Sequence, residues 1–137
     1  MGSWAPGTFE NDVAMDWLAD LEDGGDAGSV ARALDRAGES FAEYLQEPAG
    51  SEALAAAELV ATARGTPIDG SVGARLERFV DAHPGLDALS HRALAAVEKV
   101  GPPGLSELHE LWHEGRDPDG EHEWDAAVSA LKRRLGA

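Results

Sequence analysis

Ser51-Glu52-Ala53-Leu54-Ala55-Ala56-Ala57-Glu58-Leu59-Val60-Ala61-Thr62-Ala63-Arg64 is the stretch that decides the fold. Alanine loses no side-chain entropy on entering a helix, and leucine and glutamate lose little, so these residues predict a helix from Glu52 to Arg64. Its small side chains also let neighbouring elements approach closely on several sides, which marks it as a packed helix and not a surface one. Pro48 and Gly50 interrupt the pattern before it, Ser51 is the expected cap, and Gly65 supplies the stop. Glu58 is the exception inside the run. Leu54, Ala57, Leu59 and Ala61 around it imply burial, and a buried carboxylate needs a partner, for which Arg64, Arg75 or a tryptophan indole N–H are the candidates.

Working outward from this helix, the chain continues in the same style. Upstream, Asn11 can cap a helix from Asp12 to Glu22, in which Ala14, Trp17, Leu18 and Leu21 form a buried stripe at i, i+3, i+4, i+7. Asp12, Asp16 and Asp20 line another face at i, i+4, i+8. Gly24-Gly25-Asp26-Ala27-Gly28 ends it, and Ser29 is the expected cap of a second helix carrying Val30, Leu34, Ala37, Phe41, Tyr44 and Leu45, with a bend at Gly38. Downstream, Val72, Leu76, Phe79 and Val80 predict a fourth helix closed by Pro84-Gly85, and Leu86, Leu89, Ala93, Leu94 and Val97 a fifth. After Gly101-Pro102-Pro103-Gly104 come two more, near Ser106–Glu114 and Glu121–Leu135. Trp124, Val128, Leu131 and Leu135 give the last one its apolar stripe. No segment alternates as a strand does. The fold class is therefore all-α: one domain over residues 1–137, a compact bundle of about six to seven short antiparallel helices. Trp4 and Phe9 are large apolar anchors at the start of the chain, and they predict an ordered N-terminal segment lying on the bundle.

Composition narrows the function classes. The 137 residues include 26 acidic and 11 basic side chains, for a formal net charge of −15, and 43% of them are hydrophobic. That is enough apolar material for a core. So negative a chain repels phosphate backbones and anionic lipid, so neither nucleic acid nor membrane is an expected partner. The absence of cysteine rules out a thiolate metal site and a cysteine nucleophile. With no apolar run of membrane length and no signal-peptide pattern, a cytoplasmic protein is expected. The acid is uneven: Glu10, Asp12, Asp16, Asp20, Glu22, Asp23 and Asp26 all precede Arg32, the first basic residue.

The opening Met1-Gly2-Ser3-Trp4-Ala5-Pro6-Gly7-Thr8-Phe9-Glu10-Asn11-Asp12, with Ala14, Asp16 and Trp17 after it, resembles the start of a bacterial family of domains of unknown function, family 4259. Tyr44-Leu45, the alanine-rich run around Glu58, Ser106-Glu107-Leu108, Leu111-Trp112, Trp124, Leu131 and Leu135 are similar to it as well, so the likeness spans nearly the whole chain. The resemblance implies a small soluble bacterial protein and brings no catalytic residues with it.

One motif could carry chemistry. His109-Glu110-Leu111-Trp112-His113 is an H-E-x-x-H: on a helix the two imidazoles share a face and can hold zinc, and Glu110 can act as general base on a metal-bound water. His122 or Glu123 could supply a third ligand, although His122 lies nine residues beyond His113 and off the metzincin spacing. Leu108, Leu111 and Trp112 must be the buried stripe of that same helix, which puts the histidines on its flank. Asp117-Pro118-Asp119-Gly120-Glu121 lacks the later ligands of a calcium loop and reads as a polar turn. The expectation is therefore a module without a catalytic centre or cofactor, recognising a basic protein through Asp12, Asp16 and Asp20, with an acidic solvated face as the plain explanation of the same residues. The alternative is a small zinc-dependent hydrolase built on His109, Glu110, His113 and His122.

Overall fold

The computed structural model describes residues 12–38, 47–68, 70–100 and 118–136, and within these the side chains of all but 47 and 118–122. They form α1 (Asp12–Glu22), α2 (Ala27–Gly38), α3 (Glu47–Ala63), α4 (Gly70–Ala82), a 3-10 helix (Leu86–Leu89), α5 (Ser90–Val100) and α6 (Pro118–Arg134), with no strand among the described residues. The fold is all-α. The expected N-terminal anchors Trp4 and Phe9, and the expected helix near Ser106–Glu114, lie outside the described residues.

The alanine-rich run sits at the centre. Every residue from Ala53 to Thr62 is buried, Glu58 included, and α3 touches each of the other described elements. Alanine makes this possible, because a helix with small side chains all round lets its neighbours' backbones come near on every side. α2 and α5 pack on α3 and on each other, forming a three-helix centre, while α1, α4, the 3-10 helix and α6 also lie against α3. Leu18, Leu34, Leu59, Leu76, Val97 and Leu131 fill the gaps and are fully buried. Each contributes roughly 1.5–3 kcal/mol by area.

Several boundaries differ from the sequence expectation for local reasons. α3 is already helical at Glu47, upstream of the expected start at Glu52, so Pro48 and Gly50 lie within it and Ser51 is not its cap. Asp26, not Ser29, caps α2: the Ser29 N–H donates to Asp26 Oδ1 at 3.0 Å, and the Asp26 N–H donates back to Ser29 Oγ at 3.3 Å, a reciprocal box that satisfies both ends. α2 is described as far as Gly38, so the expected bend there is not tested, and Phe41, Tyr44 and Leu45 of the expected second helix lie outside the described residues. The expected fifth helix is divided, a 3-10 turn running into α5 at Ser90, whose hydroxyl donates to the Asp87 carbonyl at 2.6 Å. Of the expected polar turn at Asp117–Glu121, residues 118–121 are helical and belong to α6, and Asp117 lies outside the described residues. Gly65 ends α3 as expected: its φ is +98°, its N–H donates to Thr62 O at 3.0 Å, and the Thr66 N–H reaches Ala61 O at 3.2 Å.

Two positions test this packing. An added Cβ at Gly73 would lie 1.8 Å from the Ile68 carbonyl oxygen, because α4 starts directly against the preceding loop. Gly73→Ala should therefore lose roughly 2–3 kcal/mol. Ser51 Oγ is buried with no hydrogen-bond partner among the described residues, so Ser51→Ala should be neutral or gain up to about 1 kcal/mol. Chemical denaturation of both variants measures the contrast.

Candidate functional site

α1 divides its two faces sharply. Ala14, Leu18 and Leu21 are buried and Trp17 is half-buried against the core, while Asp12, Asp16 and Asp20 are exposed one turn apart. Asp12 favours the positive end of the helix dipole, whereas α1 has no basic residue in its last turn to balance Asp20 and Glu22. Glu22 is balanced from elsewhere: Arg75 on α4 donates through Nε at 2.9 Å and through a second nitrogen at 2.5 Å. That paired hydrogen bond holds the Glu22 carboxyl below its ordinary value of 4.5, with the charges of Arg75 and Arg78 acting in the same direction. Asp26 is likewise held below the usual carboxylate range, first by the backbone N–H of Ser29.

The arginines are used to join helices. Arg36 pairs with Glu52 at 2.9 Å (α2 to α3), Arg92 with Asp35 at 3.7 Å (α5 to α2), and Arg134 with Glu58 at 2.6 Å (α6 to α3). Asp16 and Asp20 enter no ion pair among the described residues. Asp16 and Asp20 are thus left to solvent by the same folding that commits these cations elsewhere.

Glu58 finds a cation, but from Arg134 rather than Arg64 or Arg75, which are engaged elsewhere. Its side chain is 7% exposed, and Arg134 also donates to the Thr66 carbonyl and to Thr66 Oγ1. Arg64 Nε donates to the Arg134 carbonyl at 3.0 Å and its terminal nitrogen to Ser90 Oγ at 3.0 Å, closing the ring of contacts. Chemically this cluster is a structural junction, since its donors and acceptors face one another. Arg134 was readable only as a cation suited to the end of its helix, because 76 residues separate it from Glu58.

His109, Glu110 and His113 lie outside the described residues; His122 falls on the first turns of α6, its side chain outside them too. Among the described residues no group of three His, Asp or Glu is placed to hold a metal ion. No described helix is long and apolar enough to cross a membrane.

The family model described as a domain of unknown function, DUF4259, matches residues 2–127. The chain belongs to this family. No curated protein and no solved structure matches it. The family match ends inside α6, yet Val128, Leu131 and Leu135 beyond it are buried, and Arg134 beyond it holds Glu58.

The residues past the match should therefore be indispensable. Arg134→Met should cost about 2–3 kcal/mol, somewhat less than a fully buried pair, because 22% of the Arg134 side chain is exposed. Adding Glu58→Gln should recover part of that loss by removing the stranded charge, and a chain ending at 127 should not fold cooperatively. Thermal and denaturant unfolding check all three. For Glu22 and Arg75, the lowered carboxyl value fixes the sign: the pair's stabilisation is complete above 4.5 and disappears as pH falls through the lower folded value. Since both side chains are 25–34% exposed, Arg75→Met should cost only about 0.5–1 kcal/mol at neutral pH. The difference from the parent should shrink progressively as pH falls below 4.5 in a denaturation series.

Proposed function

We propose that this protein is a cytoplasmic bacterial binding module, without catalytic activity of its own, that recognises a basic protein through the acidic face of α1. The observation that carries this reading is the separation of charge. Asp12, Asp16 and Asp20 stand exposed on one face, while Arg36, Arg75, Arg92 and Arg134 are committed to bridges between helices. A net charge of −15 adds long-range attraction for a cationic partner and repels nucleic acid and anionic membranes.

A pull-down from the native host at low and at moderate salt tests it, with the variant Asp12→Asn/Asp16→Asn/Asp20→Asn beside the parent. These substitutions lie on the exposed face, so stability should change by no more than about 0.5 kcal/mol per site. Enrichment of a basic protein that falls with salt and with the variant is the expected result. No enrichment, or enrichment indifferent to both, would discard the proposal.

The second reading, a small zinc-dependent hydrolase, rests on His109-Glu110-Leu111-Trp112-His113 with His122 as a further ligand. Its test is elemental analysis of protein purified without an affinity tag. One zinc per chain, lost in His109→Ala/His113→Ala, would support it, and sub-stoichiometric zinc unchanged in that variant would remove it.

A further inference from the structure

We draw no further inference here: the strongest candidate, the side-chain cluster of Glu58, Arg64, Thr66 and Arg134 where the end of α6 lies on the end of α3, belongs to the junction already described, its polar groups engaged with one another.

Discussion

α3 has no solvent face from Ala53 to Thr62, and this constraint organises the rest. A helix buried all round must be covered on every side, so the chain has to deliver an element to each face. The neighbours come from both directions along the sequence: α1 and α2 precede α3, whereas α4, the 3-10 helix, α5 and α6 follow it. Because alanine leaves each neighbour close, the free space around α3 is small. A larger side chain on any face would push a neighbouring helix outward, which is why packing of this kind tolerates enlargement poorly. The larger apolar side chains that fill the core come partly from α3 itself, at Leu54, Leu59 and Val60, and partly from the helices around it.

Placing a carboxylate in such a helix has a structural consequence. Glu58 is taken out of water by its neighbours, and an unpaired buried charge is far more costly than any single apolar contact is favourable. The guanidinium that meets it arrives from the last turn of α6, together with the buried Leu131 and Leu135 of the same segment. Apolar burial and charge pairing thus act through one element. Arg64 fastens the geometry by taking the Arg134 carbonyl, one of the four at a helix end that the helix itself leaves without a donor.

How much of this was legible in the sequence depends on the range of the interaction. Wherever periodicity within a single helix carried the information, it could be read: the bounds of α1, the stripe Trp124, Val128, Leu131, Leu135, and the burial of Glu58 all follow from spacing or near neighbours. Helix starts were harder, because proline and glycine read as breakers in sequence, yet Pro48 and Gly50 lie within α3. Ser29 and Asp26 are both good caps, and only the reciprocal hydrogen bonds decide between them. The cation that meets Glu58 was not legible, since nothing local to α3 singles out Arg134 over Arg64 or Arg75. The candidate site divides in the same way. The periodic stripe of Asp12, Asp16 and Asp20 is visible from spacing, but the commitment of nearby arginines to other carboxylates needs three dimensions.

That commitment leaves Asp16 and Asp20 uncompensated among the described residues. Like charges one turn apart on a helix cost a few tenths of a kcal/mol per pair, and Asp20 near the C-terminal end of α1 also opposes the helix dipole. Glu22, two residues on, is relieved by Arg75, so a cation can reach this end of α1 within the fold. Asp16 and Asp20 have no such partner among the described residues, and Leu18 and Leu21 hold the helix in place despite the repulsion. Acid that opposes its own helix and serves no bridge adds nothing to the fold's stability.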